Sequence, residues 1–383
     1  MIKIKTVSVG WFLASAFFIT TTARLSLASP GVSEHIIVRV ADGVDPVEVA
    51  RKSGVTPEFV YRYAIRGFSA VIPAGSTKKI MSLTDVTEIE PDVETTLGAV
   101  TTEKNQVGTT WGLDRIDQRS LPLDNNYHFE TTGSGVTAYI MDTGIRYDHS
   151  EFEGRAHFGF DAYGKEGVDC NGHGTHVSGT VAGKTYGVAK EAELVSVRVL
   201  NCDGSGSLSG MLAGIDWVIA HHRGPSVANI SLTSAPSLIF DEAVKNMILS
   251  GVATAVAAGN FSSDACTLSP GRIPEAMTVG GAAANDMKVP SSNFGPCVNW
   301  FAPGEKILSA SIDGINATAT MTGTSMATPH TTGVAALYLS KHPRATAKEV
   351  QEALYRFSTK NVVVNSQSHN PHLLFSLERS EES

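Results

Sequence analysis

The chain has 383 residues, 42% of them hydrophobic and 18% charged, with a formal net charge of -8. This is globular composition, with length for one large domain plus a small one. An acidic balance without a basic run excludes a nucleic-acid-binding surface, where affinity comes from neutralising phosphates with Lys and Arg.

Residues 1–28 read as a secretory signal. Lys3 and Lys5 give a positive start, residues 10–20 form an apolar core, and Ser26 and Ala28 are small residues at the two cleavage-determining positions. That core is shorter than the ~20 residues needed to span a bilayer, which favours a removed signal over a retained anchor. The nearest later candidate, 240–259, is interrupted by Asp241, Glu242, Lys245 and Asn246.

Residues 35–97 form a small unit. Strands are expected at 35–40, 67–73 and 86–92, and helices at 46–53 and 78–83. This alternation suits a split βαβ, ferredoxin-like α+β module. Residues 98–110, with Thr, Gly and few large apolar side chains, read as a linker. Further on, strands are expected at 137–141, 194–199, 228–231, 253–257 and 277–280. Helices are expected at 173–183, 208–222, 240–250 and 324–341. Apolar strands alternating with helices argue for an α/β fold, a doubly wound, mostly parallel sheet covered on both faces. In such sheets functional groups gather at the carboxyl ends of the strands. The tail 378–383 is polar and expected to be disordered.

Gly323-Thr324-Ser325-Met326-Ala327-Thr328-Pro329-His330 leads into an apolar helix. Ser325 therefore falls at a helix start, where unpaired N–H groups and the helix dipole favour negative charge. Pro329 is tolerated early in that helix. A serine needs a base to act as a nucleophile. Strand 137–141 runs into Asp142-Thr143-Gly144, and Asn171-Gly172-His173-Gly174-Thr175-His176 opens a small-residue helix. Acid, histidine and serine in this order match subtilisin. The set Asp169, Cys170, His173 and His176 has zinc-ligand residue types, but no further ligands stand nearby, and His176 reads as a packed histidine. Four cysteines in a secreted chain allow three disulfide connectivities.

The chain resembles the subtilases, in the proteinase K family and its aqualysin-like branch. The resemblance rests on Trp111-Gly112-Leu113-Asp114-Arg115-Ile116-Asp117-Gln118, Asp142-Thr143-Gly144, the His173 stretch, Ala257-Ala258-Gly259-Asn260 and the Ser325 stretch. It implies a secreted serine endopeptidase acting on proteins and peptides. Ser325 would attack, His173 would be the general base and Asp142 would orient it. Asn260 and the Ser325 N–H would form the oxyanion hole. It also implies an inhibitor-type propeptide at 29–100, with its domain at about 35–97 and its tail in the active site. The catalytic domain would be 101–377.

Further implications concern binding. Disulfides Cys170–Cys202 and Cys266–Cys297 would each close about thirty residues, worth ~3–4 kcal/mol. A substrate strand would lie between Ser231-Leu232-Thr233-Ser234 and Ala257-Ala258-Gly259-Asn260 by β-augmentation. Thr233 and Ser234 replace family glycines, which puts the usual broad specificity in doubt. No catalytic cofactor is implied. Structural calcium is, with Asp114, Asp117, Gln118 and Asp124 as oxygen ligands. A second family site, at the backbone oxygens near Pro274, has Asn299 where a carboxylate is usual, which weakens it.

Of the N-x-Ser/Thr acceptors Asn229, Asn260 and Asn316, only Asn316 suits a glycan, and only in a eukaryotic host. Monomer is the default. An α/β-hydrolase esterase is excluded by the chain order and by Ala327 in place of glycine. A catalytically silent binding protein on the same fold is the other reading, discriminated by whether a serine-directed phosphonate labels Ser325.

Overall fold

The computed structural model describes residues 33–103, 110–164 and 166–376, with backbone alone at 101–103. The signal segment, part of the linker and the tail 378–383 lie outside the described residues.

The N-terminal unit is built from β1 (Ser33–Val40), α1 (Pro46–Ser53), β2 (Pro57–Tyr61), β3 (Gly67–Pro73), α2 (Thr77–Met81) and β4 (Val86–Pro91). Its four strands form an antiparallel sheet in the order β2-β3-β1-β4. Strand period two divides the faces. Ile36, Val38 and Val40 of β1 join Phe68, Ala70 and Ile72 of β3 in a core against the helices. Ile37 points the other way, into the core of the large domain. The ferredoxin-like pattern expected from sequence is present. The additional strand β2 was not expected, because Pro57-Glu58-Phe59-Val60-Tyr61 is short, starts with proline and lacks clean alternation.

Two short strands follow, β5 (Glu94–Thr96) and β6 (Thr101–Glu103), then α3 (Trp111–Ile116). The large domain continues with β7 (Thr137–Asp142), β8 (Ala156–Asp161), α4 (His173–Ala182), β9 (Glu193–Arg198), β10 (Ser205–Ser207), α5 (Leu208–His221), β11 (Ser226–Ile230), β12 (Thr233–Ser234), α6 (Leu238–Leu249), β13 (Val252–Ala257), β14 (Met277–Ala282), β15 (Trp300–Pro303), β16 (Ile307–Ala310), β17 (Thr318–Thr322), α7 (Thr324–Lys341) and α8 (Ala347–Phe357).

Seven of these strands make one sheet, β15-β14-β13-β11-β7-β9-β8, with every pair parallel. β11, β13 and β14 are buried along their whole length, as a sheet covered on both faces requires. The strand order reverses between β7 and β11. The crevice at their carboxyl ends is where such sheets bind ligands. Asp142 ends β7, Ser231 follows β11 and Asn260 lies three residues beyond β13. α7 runs through the core, with nearly all of its eighteen residues buried.

The N-terminal unit docks on the first turns of α5 and α6. The Asp92 carboxylate accepts from Ser209 N (2.8 Å) and Ser209 Oγ (2.6 Å). Glu90 accepts from Ser237 Oγ (2.6 Å), Leu238 N (3.1 Å) and Ile239 N (3.2 Å). Both carboxylates sit where helix N-termini favour negative charge. In return, Asp216 of α5 accepts from the amides of Arg62, Tyr63 and Ala64.

Candidate active site

α4 begins at His173, and a buried carboxylate shapes its start. Asp169 accepts from the amides of Asn171, Gly172 and Thr175 and from the hydroxyls of Thr143 and Thr175, all at 2.6–2.9 Å. Thr143 Oγ1 accepts in turn from Gly174 N. Gly174 is required: a Cβ there would lie 2.2 Å from the Gly144 carbonyl oxygen. This packing carries His173 to Asp142. His173 Nδ1 is 2.8 and 2.9 Å from the two Asp142 carboxylate oxygens, and both residues are buried. A carboxylate on Nδ1 leaves Nε2 as the nitrogen that can accept a proton. Nε2 has no hydrogen-bond partner.

Ser325 is the second residue of α7. Its Oγ donates to Ser231 O (3.1 Å), and Ser231 Oγ donates back to Ser325 O (3.0 Å). The serine hydroxyl is therefore not hydrogen-bonded to Nε2. Catalytic hydrogen bonds of this kind are often unmade before substrate is engaged. Ser231 is itself held by Asn229 Nδ2 (2.8 Å), and Asn229 Oδ1 accepts from Thr332 on α7.

The Asn260 amide is oriented by Thr324, whose N–H and hydroxyl both donate to Oδ1 (2.8 and 3.0 Å). Nδ2 is left as the donor facing the cleft. Gly323 fits against it, since a Cβ there would sit 3.1 Å from Nδ2. From sequence Asp169 was weighed only as a zinc-ligand type and Asn229 only as a glycan acceptor, and Thr324 was given no role. Their signal was legible only as polar residues beside the motifs.

The cleft is already occupied by the protein itself. β5 lies antiparallel between β10 and β12. Thr96 faces Thr233 on one side and Ser205 on the other. Ser205-Gly206-Ser207 was not singled out from sequence. Ala257-Ala258-Gly259 makes no ladder with β5, for its backbone is committed elsewhere. Ala258 N donates to Val279 O, Ala258 O accepts from Asn293 Nδ2, and Gly259 N donates to Thr324 Oγ1. Thr233 and Ser234 are buried, and the Ser234 hydroxyl turns back to Ala235 O. Leu232 is buried beneath this edge.

Cys170 is bonded to Cys202 and Cys266 to Cys297. The first bridge lies three residues before His173, which removes Cys170 as a metal ligand. Both carbonyl oxygens of Ile307 and Ala319 lie on His176 Nε2 (3.0 and 3.1 Å), and burial pushes its pKa down to about 3. It is a neutral packed histidine.

Among the described residues no group of three or more His, Cys, Asp or Glu side chains is assembled to hold a metal. The residues expected to bind calcium lie beside one another nonetheless. Asp114 accepts from the amides of Asp124 and Asn125. Asp117 accepts from His128 N with one oxygen, and its other oxygen, Oδ1, is buried without a partner. Burial, opposed by these amides, raises the pKa of Asp114 and Asp117, and neighbouring carboxylates add to it. An orphaned carboxylate oxygen in this surrounding suits a hard cation. Gln118 directs its NH₂ to Ser120 O and Pro122 O, which leaves only its amide oxygen for a cation.

The carbonyls near Pro274 do not fit one. Gln351 Nε2 on α8 donates to both Pro274 O (3.1 Å) and Ala276 O (3.0 Å). Asn299 Oδ1 accepts from Thr278 N (2.7 Å). The oxygens a cation would use are already satisfied. Of the glycan acceptors, Asn229 and Asn260 are buried and Asn316 is exposed.

Comparison with known proteins agrees with this geometry. Residues 133–373 match the Subtilase family. An extracellular serine proteinase of Thermus sp. (strain Rt41A) is 48% identical over 323 residues, 84% of this chain and 78% of its own length. Alkaline serine exoprotease A of Vibrio alginolyticus is 46% identical over 335 residues, 86% of this chain and 62% of its own. The crystal structure of a cold-adapted subtilisin-like serine proteinase matches with a TM-score of 0.70 at 48% identity, covering 71% of this chain and 100% of that one. With the parallel sheet, the match over most of the large domain and identity near one half, the chain belongs to the subtilase family of serine endopeptidases.

Proposed function

We propose that the protein is a secreted endopeptidase that cuts proteins through Asp142, His173 and Ser325, and is made as a zymogen. The observation that carries this reading is the 2.8 Å contact of His173 Nδ1 with Asp142, with Ser325 and Asn260 at the same crevice. Ser325 Oγ attacks the scissile carbonyl as His173 Nε2 takes its proton. His173 then protonates the leaving amine, and water hydrolyses the acyl-enzyme. Asp142 stabilises the imidazolium. Asn260 Nδ2 and the Ser325 N–H, at the start of α7, stabilise the oxyanion.

Residues 29 to about 100 act as a propeptide, and the chain from there to 377 as the enzyme. Two findings support this division. β5 lies in the cleft as a substrate strand would, and a solved relative is matched over its whole length by 71% of this chain. The names of the relatives, extracellular among them, support secretion. Substrates bind by the same strand addition between β10 and β12, with Ser231, Leu232 and Thr233 along one edge and Ala257, Ala258 and Gly259 leading to Asn260. Calcium, when bound, is structural, held by Asp114, Asp117, Asp124 and the Gln118 amide oxygen.

The test is hydrolysis of a chromogenic peptide and labelling by a serine-directed phosphonate, wild type against Ser325→Ala. Activity and label in the wild type alone bear the reading out. A wild type that takes no label is a binding protein on this fold.

A further inference from the structure

The chain's own segment through the cleft identifies which of its bonds is presented to Ser325. It is held on both sides of the nucleophile by different strands, and the two registers are independent.

On the N-terminal side, β5 pairs with β12, with Thr95 opposite Ser234 and Thr96 opposite Thr233. In an antiparallel pair each step forward on one strand is a step back on the other. Two more residues set Gly98 opposite Ser231. On the C-terminal side, β6 pairs with β17, with Thr102 opposite Met321 and Thr101 opposite Thr322. β17 ends at Thr322, three residues before Ser325 at the start of α7, and Gly98 stands three residues before Thr101, which brings Gly98 within reach of Ser325. Ser231 and Ser325 touch each other through two hydrogen bonds. The register with β12 and the short reach from β17 therefore meet at one place.

A third observation agrees. A Cβ on Gly98 would lie 3.7 Å from Asn260 Nδ2, the donor left free by Thr324. Gly98 also has φ +67°, a left-handed conformation that side-chain-bearing residues rarely take. A shift of one residue would break both ladders and turn every β5 side chain to the opposite face.

We propose that the protein processes itself at the Gly98–Ala99 bond, which makes Ala99 the first residue of the mature enzyme. This rests on the self-processing reading above. Ser325 Oγ bonds to the Gly98 carbonyl carbon, and its proton passes to His173 Nε2. The Gly98–Ala99 C–N bond breaks as that proton passes to the Ala99 nitrogen. Water then attacks the ester, giving a Gly98 carboxylate and restoring the Ser325 hydroxyl. Gly98 offers the pocket no side chain. The β5 ladder and the Glu90 and Asp92 contacts must therefore hold the segment in place.

The test is intact mass of both products as the full chain refolds, sampled at intervals, for wild type and Ser325→Ala. The N-terminal product is the deciding one, because later trimming of the mature N-terminus does not alter it. A first product ending at Gly98, absent from Ser325→Ala, is the expected result. A first cut at another bond that still requires Ser325 overturns this assignment and leaves self-processing standing. Cutting in Ser325→Ala, or no cutting in the wild type, overturns the self-processing reading itself. A Gly98→Val chain, strained at φ +67°, is expected to be cut at least ten-fold more slowly, yet its mature enzyme is unchanged in sequence. An unaltered rate counts against Gly98 as the residue at the scissile carbonyl.

Discussion

Asn260 can donate to an oxyanion only if its amide faces the right way, and Thr324 decides that. Both donors of Thr324 converge on Oδ1, so flipping the amide would set its NH₂ against the Thr324 backbone N–H. Asn260→Ala is expected to lower kcat by about 10²–10³, the loss seen when such a donor is removed from subtilisin. Thr324→Val removes only the hydroxyl and is expected to cost about ten-fold in kcat with KM held. The double variant should be no worse than Asn260→Ala alone, because Thr324 acts through Asn260. Additive losses would show an independent role. A different residue governs acid stability. His330 is buried in α7 with Nδ1 on Met326 O (2.8 Å), and burial lowers its pKa from 6.5 to about 4. Below pH 6.5 the unfolded chain takes up this proton and the folded one does not. The fold thus loses stability as pH falls from about 6.5 to 4, by up to about 1.4 kcal/mol per pH unit. His176 extends the same loss to about pH 3. Unfolding free energy measured across this window should fall less steeply in His330→Gln; parallel slopes refute the assignment.

At the scale of elements, α8 supplies an amide to the carbonyls near Pro274. Thr346 and Glu349 form a capping box that fixes the helix start. Gln351, one turn on from the cap, then reaches the carbonyls of Pro274 and Ala276. Gln351→Glu would aim a carboxylate at those two oxygens. The exposed Pro274 carbonyl can turn to water, so the cost falls on the part-buried Ala276 carbonyl and repulsion from the carboxylate, and Tm in chelator should fall slightly. Added calcium should restore it, by a larger increment than the wild type shows. Equal increments in the two proteins would mean that the carbonyl pair takes no cation even when a charge is supplied. Sequence predicted weakness at this site from Asn299, but not Gln351, which is 52 residues away in the chain. The same distinction runs through the fold. The sheet strands flanked by long apolar helices were legible, since local periodicity carries them. β8, β15, α3 and α8 were not, and neither were β10 and β5, three residues each. A strand that short is defined by its partner rather than by its own pattern. Asp142, His173, Ser325 and Asn260 stood out because each sits in a dense local motif. Asp169 did not, because five donors converge on it only after folding.

For the molecule as a whole, the proposed self-processing raises the question of what keeps the N-terminal unit seated once its link to the enzyme is cut. Ile37, Tyr61, Ala64 and Ile65 share the large domain's core, which supplies a non-specific apolar contact. Glu90 and Asp92 supply position. They cap α6 and α5, whose first amides have no partner within their own helices. Between these residues and Gly98 lies only β5, so the caps also set how far the strand reaches into the crevice. Hydrogen bonds to a charged group contribute about 1.5–3 kcal/mol each. Losing the set at one helix should weaken the seated unit by at least ten-fold. The quantity to measure is the delay between cutting, followed by intact mass, and the appearance of peptidase activity. In the wild type that delay reflects how slowly the cut piece leaves or is digested. Glu90→Ala and Asp92→Ala should each shorten it, and the pair together more than either, since the two caps sit on different helices. The cut must still occur at the same bond for the comparison to hold, which the mass also reports. A delay that does not change in the double variant would leave the apolar face alone as the latch, and the carboxylates would then serve folding rather than inhibition.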